Sequence, residues 1–157
     1  MDSREEQSLD ELLNRLLVAF ENKMPFNKLL GLKIDSLHLG EVRLRLEMRE
    51  ELIGNYVHGI LHGGVIASVL DVAGGMIAIA NAFKTKENLS ENERMEGIDK
   101  TSTIDIRIDY LRPGRGQYFI ATANVLRSGR KVAVTRMELF NDENVLIAVG
   151  TGSYLVG

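Results

Sequence analysis

The chain has 157 residues, a formal net charge of −3 and no cysteine. These values exclude disulfides, thiolate nucleophiles and cysteine-ligated zinc, and they give no support to binding of nucleic acid through a basic surface. Hydrophobic residues make up 45% of the chain and charged residues 26%, which is typical of one globular domain with a buried core.

Two helices are predicted in residues 1–31. A capping box at Ser8 and Glu11 precedes leucines at helical spacing, which indicates an amphipathic first helix. A short second helix is expected to start with a proline and to end at Gly31 as its C-cap. Residues 32–157 are then the core of a single domain, and residues 1–31 are a helical extension of it.

An α+β fold is predicted from the order of the remaining elements. Apolar and polar residues alternate in a hairpin between residues 32 and 48 and in four strands between residues 104 and 156. An apolar helix from about His62 to Ala82 and a charged surface connection over residues 84–100 lie between them. This order suggests an antiparallel sheet of about six strands, curled around one long helix.

The apolar helix is long enough to cross a bilayer, but three features favour a soluble protein. Asp71 lies in its middle, where a charge is costly in lipid, and Gly74 and Gly75 weaken an isolated helix. The strands elsewhere also need a core, so we expect a helix buried on all sides and no membrane insertion. The acidic N-terminus has no basic-then-apolar signal segment, which predicts a cytoplasmic location.

The start of this helix carries Gly63 and Gly64 directly after His62. A helix N-terminus presents unpaired backbone N–H groups and a partial positive charge, and glycines let a ligand approach the backbone closely. A thioester carbonyl placed there would be polarised and its developing oxyanion stabilised. The alternative is that the two glycines only allow the helix to pack tightly against the sheet.

Asp71 is an acidic residue among Val, Ile, Ala, Leu and Met. A carboxylate in such surroundings is costly unless it has partners or a chemical role, and such groups are candidates for a general base or a nucleophile. The alternatives are that Asp71 pairs with an arginine for structural reasons or faces a solvent channel.

The spacing of Gly63 and Asp71 predicts a homodimer if both act on one bond. They are eight residues apart, which at ~1.5 Å rise per residue is roughly 12 Å along one helix. Reacting groups must lie about 3 Å from the same atom, so the two residues would have to come from different helices. Two antiparallel copies related by a two-fold axis would provide two equivalent sites.

Several segments of the chain, in order, resemble those of hotdog-fold thioesterases. The stretch HGGVIASVLD resembles the His-Gly-Gly-x6-Asp motif of the phenylacetate-degradation (PaaI-like) type. Together with MPFNKLLGL, TIDIRIDYLRPGRG and the terminal strand, it resembles the YigI-type branch of acyl-CoA thioesterases. The resemblance covers nearly the whole chain.

The resemblance implies a hotdog fold, in which one long central helix is wrapped by a curved antiparallel sheet. It implies hydrolysis of medium- to long-chain acyl-CoA to free acid and CoA, with no metal and no cofactor, since coenzyme A is part of the substrate. It further implies dimers that join their sheets edge to edge and often pair into tetramers.

The resemblance also implies roles for individual residues. Gly63 donates its backbone N–H to the thioester carbonyl, and Asp71 of the partner subunit acts as base for water or as nucleophile. Thr103 helps to orient the attacking water. Relatives often carry an asparagine six residues before the motif histidine; Asn55 lies seven before it, and a one-residue bulge would bring it to the acyl end.

Further substrate-binding groups are predicted around these residues. His62 and Gly64 belong to the same helix start, where His62 is expected to hydrogen-bond to the backbone. Basic residues at strand ends and turns suit the phosphates of coenzyme A, although each alone could be ordinary surface charge. These residues are Arg112, Arg115, Arg127, Arg130 and Lys131.

Metal binding and two other functions are the alternatives to acyl-CoA hydrolysis. His58 and His62 are four residues apart, but no His-Glu-x-x-His motif accompanies them, so no metal site is predicted. A hotdog dehydratase or hydratase would need a catalytic histidine paired with an acid at a different spacing. A non-catalytic acyl-CoA-binding protein is the third possibility.

Overall fold

The computed structural model describes residues 3–157, with side chains from residue 7 onwards. Helix α1 (Ser3–Val18) leads through one wide helical turn (Ala19–Lys23) to α2 (Pro25–Leu30). Gly31 ends α2 in the left-handed conformation, with a φ of 72°, as predicted for a C-cap glycine.

The predicted capping box at the start of α1 is wrong. Ser8 lies inside the helix, and its hydroxyl donates to the Glu91 carboxylate at 2.6 Å. The leucines at helical spacing are nevertheless buried, as their period predicts, and attach the extension to the core. A capping box does form 82 residues later, where Ser90 and Glu93 start the short helix α4 (Glu91–Glu96) in the charged connection.

One six-stranded antiparallel sheet forms the second layer, as the alternation of the sequence predicts. The strands follow the order β1-β2-β6-β7-β8-β5, and the short β3 and β4 form a separate hairpin. Their bounds are β1 (Lys33–Leu37), β2 (Val42–Glu47), β3 (Ile53–Asn55), β4 (Ile60–Leu61), β5 (Ser102–Tyr110), β6 (Tyr118–Ser128), β7 (Val132–Asn141) and β8 (Leu146–Leu155).

The long helix α3 (Gly63–Thr85) packs across this sheet, and residues 76–80 in its second half are all buried. By length and composition it could cross a membrane, but 61% of its apolar window is buried within the chain. The expectation of burial on all sides is wrong for the N-terminal half. There, a stripe of half-buried residues faces away from the sheet: Val65, Ala67, Ser68, Asp71, Val72 and Gly75.

The segment between β2 and α3 is ordered, although no element is assigned to it from the sequence alone. A single 3-10 turn leads into the β3–β4 hairpin, and the His62 N–H donates to the Leu52 carbonyl at 2.8 Å. A side chain at Gly54 would collide with the Cα of His62, at 2.7 Å, so the glycine is needed where the hairpin passes the helix start. The hairpin therefore fixes the position at which α3 begins.

Strand β5 lies at one edge of the sheet and is largely exposed over its nine residues. Its pairing with β8 shifts register between Thr103 and Asp105, which marks a β-bulge at Ile104. Ile104 is 56% exposed as a result, although the alternation predicted an inward position. The bulge turns Thr103 to the face that also carries the half-buried Ile106, so Thr103 points towards α3.

Candidate active site

The Asp71 side chain lies in the half-buried stripe of α3 and is held by two hydroxyl groups. Thr103 Oγ1 donates to Asp71 Oδ1 at 3.0 Å, and the Tyr154 hydroxyl lies 3.2 Å from the same oxygen. Among the ion pairs of the described residues, none involves Asp71, so the structural pairing with an arginine is not supported. The carboxylate is instead hydrogen-bonded and partly open to solvent.

Tyr154 is a member of this cluster that sequence reasoning missed. It lies on β8 opposite Thr103 and is only 1% exposed. Burial raises the pKa of its phenol far above the usual value of 10, and the Asp71 charge raises it further. The hydroxyl therefore stays protonated at any physiological pH and is available as a donor.

Within the part of the chain that the structure describes, one of the two glycine N–H groups at the helix start is free and the other is bonded. The Gly64 N–H donates to His62 Nδ1 at 2.8 Å, so His62 caps the helix, as expected for a residue that bonds to the backbone. Gly63 is the first residue of α3, so the carbonyl four residues before it lies outside the helix. Its N–H therefore has no acceptor within the helix. The Tyr110 hydroxyl donates to the Gly63 carbonyl at 2.9 Å and holds this peptide in place.

The Asp71 contact and the Gly63 contact lie at opposite ends of β5. Thr103 near its start contacts Asp71, and Tyr110 at its end contacts Gly63. β5 therefore runs antiparallel to the first two turns of α3. Within one chain, Asp71 and Gly63 are separated by eight residues of helix, so they do not meet at a single reacting atom.

The family model of the thioesterase superfamily matches residues 58–148, which is more than half of the chain and includes both of these contacts. The chain belongs to the thioesterase superfamily.

Two relatives of this thioesterase are similar over most of their length. The medium/long-chain acyl-CoA thioesterase YigI of Escherichia coli is 44% identical over 138 residues, which cover 88% of this chain and 89% of the relative. A crystal structure from Shewanella oneidensis, related to the thioesterase superfamily, has a TM-score of 0.91 at 45% identity and covers 95% of this chain and 97% of that one.

The predicted hotdog fold is confirmed by these comparisons. The PaaI protein of Escherichia coli, from the phenylacetic acid degradation operon, matches with a TM-score of 0.76, covering 95% of this chain and 96% of that one. Its 21% identity shows the fold alone. The resemblance that the sequence suggested to the YigI-type branch is likewise confirmed by the 44% identity.

Asn55 is the last residue of β3 in this thioesterase and pairs with Ile60 of β4. The pairing of these strands shifts register between Ile53 and Asn55, so a bulge is present at Gly54. The Asn55 side chain accepts the N–H groups of Val57 and His58, at 3.1 and 3.3 Å, and thereby closes the turn. Within the chain its carboxamide oxygen has a structural use, and a role at the acyl end stays a prediction.

The predicted phosphate-binding residues of the thioesterase form two groups. Arg112 and Arg115 lie at the Gly63 end, where they donate to the carbonyls of Leu146 and His58 at 2.9 and 3.1 Å.

The other group lies at the Asp71 end, two strands away from Thr103, because Ala133 on β7 pairs with Tyr154 and Tyr154 pairs with Thr103. Its members, Arg127, Arg130 and Lys131, line a surface cavity of about 320 Å³ around the β6–β7 turn.

Proposed function

We propose that this thioesterase hydrolyses medium- to long-chain acyl-CoA to a free fatty acid and coenzyme A. One observation carries the proposal: Asp71 is held by two hydroxyls on an open helix face, while the same helix presents the free N–H of Gly63 at its start. The chain length rests on the similarity to YigI, which is a medium/long-chain acyl-CoA thioesterase. We propose no cofactor, because coenzyme A is part of the substrate. We also propose no metal.

The proposed chemistry uses the two groups on opposite sides of the thioester carbon. The Gly63 N–H binds the carbonyl oxygen and stabilises the negative charge that develops on it. Asp71 either removes a proton from the attacking water or attacks the carbon itself, forming an anhydride that water then hydrolyses. In both routes the C–S bond breaks, the CoA thiolate leaves and takes up a proton, and the acid is released.

The proposed site needs a second copy of the chain. Strand β5 offers an unpaired edge of nine residues, which is a template for pairing with another strand. An antiparallel pairing with its own copy, centred on Arg107, would put Thr103 opposite the partner's Tyr110, since the bulge at Ile104 takes one residue out of the count. Opposite residues in such a pair are about 4.5–5.5 Å apart.

This register joins the two halves of the site. Thr103 is hydrogen-bonded to Asp71, and the partner's Tyr110 is hydrogen-bonded to the partner's Gly63. Where Thr103 lies opposite the partner's Tyr110, the interface therefore brings together one acid and one oxyanion donor. The pairing would also cover Tyr110, which is 54% exposed, and the open stripe of α3. On the outer face, Arg107 would lie opposite its own copy and Asp105 opposite the partner's Asp109, so opposite charges would meet only on the diagonals.

The two basic groups would converge in the same dimer. Within one chain they lie at opposite ends of β5, but the proposed two-fold axis brings Arg112 and Arg115 to the partner's basic β6–β7 turn. Five cations around one entrance suit the phosphates of coenzyme A. We therefore propose a homodimer, which can pair further into a tetramer, acting on a soluble thioester in the cytoplasm without membrane insertion or nucleic acid.

A thioester panel tests the proposed reaction. Release of CoA from acetyl- to palmitoyl-CoA and from phenylacetyl-CoA, followed with a thiol-reactive dye, should peak at a medium or long linear chain. A peak at phenylacetyl-CoA would reject the chain-length assignment. Tight binding of acyl-CoA without release would favour a binding protein, and hydration of crotonyl-CoA without CoA release would favour a hydratase.

Removing the Gly63 N–H should impair catalysis without disturbing the helix. Proline is favoured at the first position of a helix and lacks this N–H, and His62 already has the extended ψ of 134° that a residue before proline needs. We expect Gly63→Pro to lower kcat by about 10²- to 10³-fold, as for the loss of an oxyanion donor.

Gly63→Ala is the matched control for this variant. It keeps the N–H, and its Cβ would lie 3.4 Å from the Tyr110 ring, which is ordinary contact. Its kcat should stay within about tenfold of the wild type. Equal losses in the two variants would assign Gly63 to packing instead of oxyanion binding.

A further inference from the structure

The Tyr154 side chain occupies a niche that three glycines leave open. A Cβ at Gly74 of α3 would collide with the Tyr154 hydroxyl and would lie 2.9 Å from its Cζ. A Cβ at Gly152 of β8 would lie 2.8 Å from both the ring and the hydroxyl, and one at Gly75 would touch the ring at 3.5 Å. Glycine inside a helix is less favourable than alanine, so this niche has an energetic cost.

The hydroxyl at the end of this niche reaches the proposed catalytic acid. It lies 3.2 Å from Asp71 Oδ1 and 3.2 Å from the carbonyl oxygen of the same residue. Thr103 also donates to Oδ1, at 3.0 Å. Both hydroxyl contacts recorded among the described residues therefore fall on one carboxylate oxygen, which leaves Oδ2 for water or substrate.

We propose that Tyr154 is a positioning residue that locks Asp71 Oδ1 together with Thr103, so that Oδ2 is presented to the thioester side. This inference rests on the proposed function and adds to it a residue outside the His-Gly-Gly-x6-Asp segment. Tyr154 is buried beside Asp71 and acts through it.

Two donors, Thr103 and Tyr154, restrict rotation of the Asp71 carboxylate more than one donor does. With Thr103 alone, the carboxylate could rotate about its Cβ–Cγ bond, since terminal torsions of this kind are broad. Thr103 also lies on the exposed edge strand, whereas Tyr154 is held on an interior strand by the rigid niche. The raised pKa of Tyr154 supports the assignment, because the hydroxyl keeps its proton and donates throughout the working pH range.

A Tyr154→Phe variant separates positioning from packing. The ring still fills the niche, and only the donor is lost. We expect kcat to fall by about 10- to 100-fold, as for a displaced catalytic group, while KM stays within about twofold. Tyr118→Phe is the matched control, because Tyr118 stacks on Arg45 on the outer face of the sheet, away from the site.

Activity is to be normalised to the folded fraction, measured by thermal unfolding, so that a loss of folded protein is not read as a loss of kcat. A normalised kcat of Tyr154→Phe within twofold of wild type would overturn the proposal. Wild-type turnover that Asp71→Ala abolishes establishes the proposed function separately, so the two ideas can fail independently.

A second pair of variants and a spectroscopic measurement keep the test decisive if Tyr154→Phe does not fold. Gly74→Ala should displace the hydroxyl and lower kcat, whereas Gly40→Ala, in the exposed turn between β1 and β2 where a Cβ meets nothing within 4 Å, should be near wild type. In protein with ¹³Cζ-labelled tyrosine, the NMR signal of Tyr154 should shift when Asp71 is replaced by asparagine, and that of Tyr118 should not. An unmoved Tyr154 signal would refute the contact without any use of activity.

Discussion

Replacing Asp71 with alanine should lower the rate of CoA release by about 10³-fold or more, because the variant loses the only group proposed to act as base or nucleophile. The substrate should still bind, since the Gly63 N–H and the basic residues remain. The measurement is kcat and KM for the best substrate of the thioester panel.

The fold should tolerate this change. Asp71 is half-buried, and the carbonyl of its own backbone stays 3.2 Å from the Tyr154 hydroxyl after the side chain is lost. The hydroxyl thus keeps an acceptor and avoids the cost of about 1–3 kcal/mol for an unsatisfied buried group. Asp99→Ala, in the exposed connection, is the control for loss of an acidic side chain. Turnover above about a tenth of wild type in Asp71→Ala would remove Asp71 from the mechanism.

Turnover in ¹⁸O-labelled water can then separate the two roles of Asp71. In the nucleophile route, water that attacks the anhydride at the Asp71 carbonyl leaves ¹⁸O in the protein. In the base route, water attacks the thioester directly, so ¹⁸O enters the fatty acid alone. ¹⁸O in the peptide that contains Asp71, measured by mass spectrometry after many turnovers, would establish the nucleophile route. Its absence fits the base route and also an anhydride that water attacks at the acyl carbonyl.

The parts of the fold that local patterns determine could be predicted from the sequence. Helical spacing of the leucines predicted α1, a long apolar run predicted α3, alternation predicted the six strands, and Gly31 predicted the end of α2. Features that depend on distant contacts could not be predicted in this way. Ser8 looked like a helix cap, but its hydroxyl instead bonds Glu91, and the bulge that exposes Ile104 follows from pairing with β8.

The residues of the candidate site also divide into those with a local sequence signal and those that depend on distant contacts. Asp71 and Gly63 stand out locally, as an acid in an apolar helix and a glycine at its start, and Thr103 came from the family resemblance. Tyr154 and Tyr110 were missed because their hydroxyls meet residues 83 and 47 positions away. One signal was present: Gly74 and Gly75 inside a buried helix indicate a close approach by another element, which the sequence alone could not identify as Tyr154.

Complementation between two inactive chains should restore activity if the site is shared. In a heterodimer of Asp71→Ala with Gly63→Pro, purified through two different tags, one site combines the intact Gly63 of the first chain with the intact Asp71 of the second. The other site lacks both groups. We expect about half of the wild-type activity per dimer, although each homodimer alone is nearly inactive.

The reverse arrangement gives the opposite result and serves as the control. When both substitutions are on one chain and its partner is wild type, a shared site loses one group at each position, so the heterodimer should be inactive. If Gly63 and Asp71 served one site within the same chain, this heterodimer would keep half of the activity and the first would show none. The two pairs contain the same substitutions in the same number, so differences in stability or expression cannot produce such an inversion, and the inversion tests whether the β5 edges join the two halves of the site.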